Sequence, residues 1–389
     1  MIGAGIFAAP GPAAEAAGPL LLAGLALAGF VAYANATSSA QLAAVYPESG
    51  GTHVYARERL GPYWGFLAGW GFVIGKTASL AAMALTLGSY AHPDLARPIG
   101  IGAVVILTAV NYCGVQKTAA VTRVLVGFVL LVIGIVVFGA LSGGTASPER
   151  FDAAIPRGPL GVLQSAGLLF FAFAGYARIA TLGEEVVRPE VTIPRAIPIA
   201  LGVMIVVYAA TLGAALLAIG PEAMARSAAP LAEAIEAGRW NEIAPLVRAG
   251  AVVASAGALL SLLAGVSRTA LSMARRGDLP RFLAAVHHTY RTPHHAELVA
   301  GGLVIAIVAV ADLRGAIGFS SFAVLTYYAL TNASSWTLPA SQRRWPRWLA
   351  VAGLSGCIVL AGALPRQAVV GGTLLLIVGS LIWLLRAHR

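Results

Sequence analysis

Charge is scarce in this sequence. Asp, Glu, Lys and Arg supply 11% of its 389 residues, whereas a soluble domain carries about a quarter, and that shortfall excludes a soluble enzyme. Cysteine is scarcer still. Cys113 and Cys357 are the only two, both lie in apolar surroundings without C-x-x-C or Cys/His spacing, and both read as packing residues rather than a disulfide or metal set. No segment alternates apolar and polar residues with period 2, and strands would leave backbone polar groups unsatisfied in lipid. No charged n-region or small-residue cleavage site precedes the first apolar run, so a cleavable signal peptide is not expected.

Apolar sequence is what the chain has in abundance, at 58% of residues. Eleven runs with few or no charges, each bounded by Gly, Pro or charge, cover residues 18–45, 63–90, 98–112, 121–141, 160–183, 197–220, 249–267, 298–311, 316–338, 348–364 and 368–385. A hydrocarbon-spanning helix needs about 20 residues, so the reading is an all-α integral membrane protein with room only for short loops. Residues 1–17 add a further apolar piece that opens inside hydrophobic sequence, and the expectation is a first helix lacking its inner half.

The net charge of +10 would also suit a nucleic-acid binder, so the location of the charge decides. With loops assigned alternately, sixteen of the 26 Lys and Arg fall on the side that holds Arg57 and Arg59. Eight fall on the opposite side, and Lys76 and Arg178 lie within spans. That bias places the sixteen, and both termini, in the cytoplasm of a multi-pass protein of the cell membrane, with no nucleic-acid partner.

Gly3-Ala4-Gly5, followed by Pro10-Gly11-Pro12, puts small and helix-breaking residues into the first span, where backbone amides and carbonyls can be left without intrahelical partners. Five spans later, Phe170 to Tyr176 repeats the device, with Gly175 amid aromatics. Corresponding interruptions in two halves point to an inverted-repeat transporter with its site at the bilayer midplane. The competing reading is that these glycines only let helices pack closely.

Gly3-Ala4-Gly5-Ile6-Phe7, the stretch from Tyr46 to Glu58, Leu60-Gly61 and Gly65 to Trp70 resemble amino acid permeases of the amino acid-polyamine-organocation superfamily. Phe170 to Gly175, Glu184-Glu185-Val186 with Pro189, and Ile193 to Ile197 are similar to that family's sixth helix and following loop. Ser267-Arg268, Ala274-Arg275 and Gly277 to Pro280 are similar to its eighth helix and exit.

The resemblance implies a 5+5 inverted-repeat transporter fold with discontinuous helices 1 and 6, plus two C-terminal helices. Residues 1–141 would form the first repeat, 142–159 an external loop, 160–338 the second repeat, and 339–389 the last two helices. It also implies alternating access for a free amino acid or related small amine, with no cofactor. Carried over by motif position, the substrate-binding segments are Ile2, Gly3, Ala4, Gly5 and Ile6 with Phe171, Phe173, Ala174 and Gly175. A half-helix N-terminus suits a substrate carboxylate, because it presents N–H groups and a positive dipole end. Phe171 either closes over the substrate or packs. The loop from Tyr46 to Glu58 is expected to be conformational. Glu184 and Glu185 form either an inner gate or a solvated helix end.

Intramembrane ionisable residues are costly and by default mark a pathway or a pair. Lys76 and Arg178 are the two here, and no Asp or Glu is expected deep in any span to partner them. Burial favours neutral lysine while arginine stays charged, so Lys76 is expected to titrate and Arg178 to supply fixed charge in a proton-coupled or exchange mechanism. In relatives, coupling lysines or acids occur where this chain has Val129, Ala177 and Arg276, and these departures put the usual coupling residues in doubt. Two midplane cations favour neutral or anionic substrates. Ser261 and Ser267 are the candidates for the less favoured sodium coupling, but their six-residue spacing does not share one helical face.

No intramembrane H-E-x-x-H, G-x-S-x-G, P-loop or carboxylate pair supports an enzyme. His287, His288, His294 and His295 read as a solvated basic loop. A transporter-like amino-acid sensor without net transport is the alternative. The segment from Pro221 to Pro245 reads either as an external amphipathic helix capping the cavity or as a passive connector.

Overall fold

Proline and glycine set the ends of the helices in the computed structural model, which describes residues 2–46, 50–114, 119–152, 158–173, 175 and 188–387. Of the expected site residues, Ala174, Arg178, Glu184 and Glu185 lie outside the described residues. The helices are α1 (Ala4–Ala8), α2 (Pro10–Ala17), α3 (Leu21–Val45), α4 (Thr52–Leu60), α5 (Pro62–Ala91), α6 (Ala96–Tyr112), α7 (Ala119–Ser142) and α8 (Gly158–Phe173). They continue as α9 (Pro189–Arg226), α10 (Pro230–Glu236), α11 (Ala244–Arg275), α12 (His294–Val310), α13 (Leu313–Trp336), α14 (Arg347–Ala363) and α15 (Arg366–Ala387). No strand occurs among the described residues. Pro10, Pro62, Pro189 and Pro230 each begin a helix, where the missing N–H costs nothing. Gly18, at φ 56°, turns the chain between α2 and α3.

Among the described residues, seven segments are long and apolar enough to cross a membrane: Pro10–Val45, Pro62–Ala91, Pro93–Tyr112, Val121–Ser142, Val191–Arg226, Asn241–Arg275 and Arg366–Arg386. Three more, α8, α12 and α14, are apolar but shorter. Helix α13 has 24 residues, yet Ser320, Ser321, Thr331, Asn332, Ser334 and Ser335 lower its hydropathy. All six are buried, because α13 faces other helices rather than lipid. There polar side chains join helices: Asn332 Nδ2 donates to Asn35 Oδ1 of α3 at 2.6 Å, and Ser320 bonds Ser79 of α5. The outside carries the large apolar side chains instead. Val124, Leu131, Phe138, Ile199, Val206 and Leu385 are 62–72% exposed, a surface that a bilayer solvates and water does not.

The first span differs from its sequence reading in where it is interrupted. Gly3 is extended, at φ −167° and ψ −151°, and the chain is helical from Ala4 onward. Pro10-Gly11-Pro12 makes only a hitch, since the Ala9 amide donates to Gly5 O at 3.0 Å and the Ala13 amide to Ala9 O at 3.1 Å. The prolines sit in the first turn of α2, where their ring and missing donor are tolerated. Helix α9 holds the opposite case. Its geometry breaks at Gly220 (φ 77°, ψ 169°) immediately before Pro221. Of the cysteines, Cys357 is buried, but Cys113 is exposed and is not a packing residue.

Candidate functional site

Helix α1 is wedged among α5, α8 and α11, and glycine permits the approach. A Cβ on Gly5 would stand 2.5 Å from Ala172 Cα, so the backbones of α1 and α8 touch there. A Cβ on Gly3 would meet Ala258 Cβ of α11 at 3.0 Å. The two candidate segments are therefore brought together. Ala4, Gly5 and Ile6 occupy the first turn of α1, whose amides have no intrahelical acceptors, and Phe171 and Phe173 occupy the last turn of α8. Ile6 and Phe171 are buried, at 2% and 7% exposure. The Phe173 ring packs on Tyr208, centroids 5.4 Å apart, and Gly175 is exposed. Tyr208 of α9 donates its hydroxyl to Ala172 O at 3.1 Å, which ties the end of α8 in place.

Above this crossing lies Tyr90, which the sequence reading did not single out. Its hydroxyl donates to Phe7 O at 3.2 Å and accepts from the Leu231 amide at 3.3 Å, while its ring meets Phe7 edge-on at 5.5 Å. One side chain of α5 thus fastens α1 to α10. Leu231, Ala232, Ala234 and Ile235 of α10 are buried, so the 221–245 segment packs into the bundle at this end. A cavity of about 400 Å³ opens beside it among α2, α8, α13 and α15, lined in part by Glu15, Gln164, Leu168, Asp312 and Arg314. Arg314 closes its rim by pairing with Glu15 of α2 and donating to Ala225 O.

Lys76 is buried in α5, at 6% exposure. Ser267 does not face the first helix. Its hydroxyl bonds Ala264 O and Glu297 Oε1, each at 3.1 Å. Glu297, one residue before the eighth apolar run and in the first turn of α12, is 2% exposed, a buried acid just outside the spans that the sequence reading did not single out.

At the arginine-rich end, the segment from Tyr46 to Glu58 includes most of helix α4 instead of being all loop. Helix α4 lies on α5 at Gly65 and Gly69, where an added Cβ would collide with Arg57 at 2.5 Å or with Met273 and His53 at 2.7 and 3.0 Å. Arg57 Nη2 pairs with Asp278 Oδ2 at 2.6 Å. His53 Nδ1 bonds Gly65 O at 2.8 Å, and its Nε2 stands 3.7 Å from the same carboxylate oxygen. Arg386 at the end of α15 donates to Asp278 O. Thr52 bonds the Tyr327 hydroxyl and Thr331 of α13 at 3.0 and 2.7 Å. Burial lowers the His53 pKa below the usual imidazole value, against the opposing pull of the Gly65 carbonyl and Asp278, so the ring is neutral near pH 7. The acid expected after α11 is thus not lost with Arg276, because Asp278 supplies it two residues later.

Comparison with known proteins agrees with this architecture. A family model described as amino acid permease matches residues 1–383. A transporter of Mycobacterium tuberculosis, itself named as uncharacterized, is 58% identical over 379 residues, covering 97% of this chain and 86% of the relative. A branched-chain amino acid permease of Bacillus subtilis is 25% identical over 372 residues, covering 89% of this chain and 79% of the relative. A serine/threonine exchanger of the same organism is 27% identical over 350 residues, with coverage of 85% and 78%. These relatives are named as transporters, not enzymes, and the chain belongs to the amino acid permease family as a multi-pass membrane transporter.

Proposed function

We propose that the protein is a secondary active transporter that moves an amino acid or related small amine across the cytoplasmic membrane by alternating access. The observation that carries this reading is the crossing of α1 and α8. The chain leaves extended geometry at Gly3 and enters a helix at Ala4, Gly5 lies on Ala172, and Gly175, two residues beyond the described part of α8, is in a turn. Ile2, Gly3, Ala4, Gly5 and Ile6 then receive the substrate carboxylate on backbone amides, and carbonyls around Phe171, Phe173, Ala174 and Gly175 receive the α-amino group. Residues 1–141 and 160–338 act as the two inverted repeats. Both termini face the cytoplasm.

Lys76 and, by sequence position, Arg178 add positive charge within the membrane, which favours neutral or anionic substrates and a proton-coupled or exchange cycle. Two relatives are named for neutral substrates, branched-chain amino acids in one and serine and threonine in the other. The test is counterflow in proteoliposomes loaded with a mixture of unlabelled amino acids, using labelled tracers one at a time. Saturable tracer accumulation that is lost without internal amino acid is expected. Binding of amino acids without counterflow would replace the transporter with a sensor.

A further inference from the structure

Glu297 has no role in that cycle, yet its position in a bilayer protein is costly to hold as an anion. Its side chain is 2% exposed. Oε1 accepts from the Ser267 hydroxyl at 3.1 Å, and Oε2 has no hydrogen-bond partner. Ser267 lies eight residues before the end of α11, or about 12 Å along its axis. Apolar clusters lie on either side: Leu263, Val266, Ala300 and Val304 belong to one, and Ala270, Ala274, Leu283 and Ala296 to the other.

One turn earlier on the same helix stands His294, whose Nδ1 is buried without a hydrogen bond and which shares a face with Glu297 at i, i+3 spacing. Its ring centroid is 4.2 Å from that of His295 and 5.3 Å from that of His287, which in turn stacks on His288 at 4.8 Å. The histidine cluster therefore sits one helical turn from the buried carboxyl, at the start of α12.

We propose that Glu297 is a proton-binding site filled through this histidine cluster. A proton leaves an imidazolium nitrogen and joins Oε2; the imidazole becomes neutral and takes its next proton from water at the membrane face. Arg268 is the charged group that acts on Glu297 directly, and the elements packed around α12 carry further cations. Arg268 follows Ser267 on α11, Lys76 is the cation of α5, and Arg281 lies in the turn Arg281–Ala284. Arg97 of α6 is engaged at the far end of α12, where it donates to the Ala309 and Ala311 carbonyls. The use of this proton in coupling rests on the transporter reading; its binding does not.

The test is pH-difference infrared spectroscopy of the purified protein in lipid nanodiscs, across the range in which histidine titrates. The wild type is expected to show a protonated-carboxyl band that disappears as pH rises. Glu297→Gln should abolish it, and Ser267→Ala should move its midpoint upward, because the hydroxyl that steadies the ionised form is gone. His294→Ala should slow proton uptake after a pH jump several-fold while leaving the midpoint in place. A band that survives Glu297→Gln, or the absence of any titrating band in the wild type, overturns the proposal. If Glu297→Gln does not fold, Glu297→Asp is measured instead: a shifted midpoint supports the site and an unshifted one overturns it. In proteoliposomes, the ratio of uptake with and without an imposed pH gradient should fall to unity in Glu297→Gln. A wild type that transports nothing would refute the transporter reading and leave the infrared result standing.

Discussion

Gly5→Ala adds one methyl group where the structure has no room for it. The new Cβ would lie 2.5 Å from Ala172 Cα, 2.9 Å from its Cβ and 3.4 Å from its amide nitrogen. Only the last distance is an ordinary contact, so α1 and α8 must separate by roughly an ångström, and overpacking of this kind costs about 1–3 kcal/mol. Because the obstacle is main chain, the upper end applies. Gly3→Ala offers a control, since its Cβ is crowded by Ala258 Cβ alone, at 3.0 Å, with Ala254 O at an ordinary 3.9 Å, and about 1 kcal/mol is expected. The two sites should then part in double-mutant cycles. Ala258→Gly removes the obstacle to Gly3→Ala and should restore the stability of that pair relative to Ala258→Gly alone. Ala172→Gly should not rescue Gly5→Ala, because the α-carbon remains in the way. Resistance to unfolding by SDS measures each value, and counterflow reports whether the substrate site survives. Gly5→Ala at wild-type stability, or its rescue by Ala172→Gly, would refute the backbone contact on which the proposed site depends.

Asp278→Asn should destabilise the protein by about 2–3 kcal/mol, less than a fully buried pair because Arg57 keeps a fifth of its side chain in solvent; SDS unfolding at pH 7 checks this, and no loss would remove the pair as a fastener of α4. His53 is held neutral by burial, so the native state binds fewer protons than the unfolded chain below the ordinary imidazole pKa of about 6.5. Stability should therefore be full above that value and decline as pH falls through it, with a flatter profile in His53→Gln. Tyr90→Phe keeps the ring but strips the Phe7 carbonyl and the Leu231 amide of their shared partner, costing about 1–3 kcal/mol and speeding hydrogen exchange at Leu231. Lys76→Met should bring gradient-driven uptake down to the gradient-free rate; undiminished uptake would exclude Lys76 from coupling.

Helical spans were legible because hydrophobic length is a local property. The runs at 63–90, 121–141 and 368–385 correspond to α5, α7 and α15, and Gly18 bounds α3 from sequence and structure alike. Helix α4 was not legible in the same way. Its sequence from Thr52 to Leu60 is polar by comparison, and what makes it a helix is docking on Gly65 and Gly69 rather than an apolar face of its own. The prolines at positions 10 and 12 misled for a related reason: breaking power depends on where in a helix the ring falls, and a first-turn proline is compatible with the helix it was expected to interrupt.

For the site, glycine spacing carried the information that one dimension can hold. Gly3 and Gly5 mark close approach, but nothing local says that Ala258 and Ala172 are the atoms approached. The partners of Arg57 and Tyr90 are 221 and 141 residues away, and no composition or period connects such distances. Asp278 shows the limit most clearly. A motif matched position by position finds Arg276 where an acid is common and reads a missing charge, whereas in space the turn after α11 returns a carboxylate to Arg57 from two residues further on. Charge compensation is a condition on distance, not on register, and a half-buried arginine beside an apparent loss is itself the signal to look for a displaced acid nearby. Glu297 obeys the same condition from the other direction. No apolar run includes it, because the run begins one position later, and only the packing of α11 against α12 makes it an acid that must either find a partner or hold a proton.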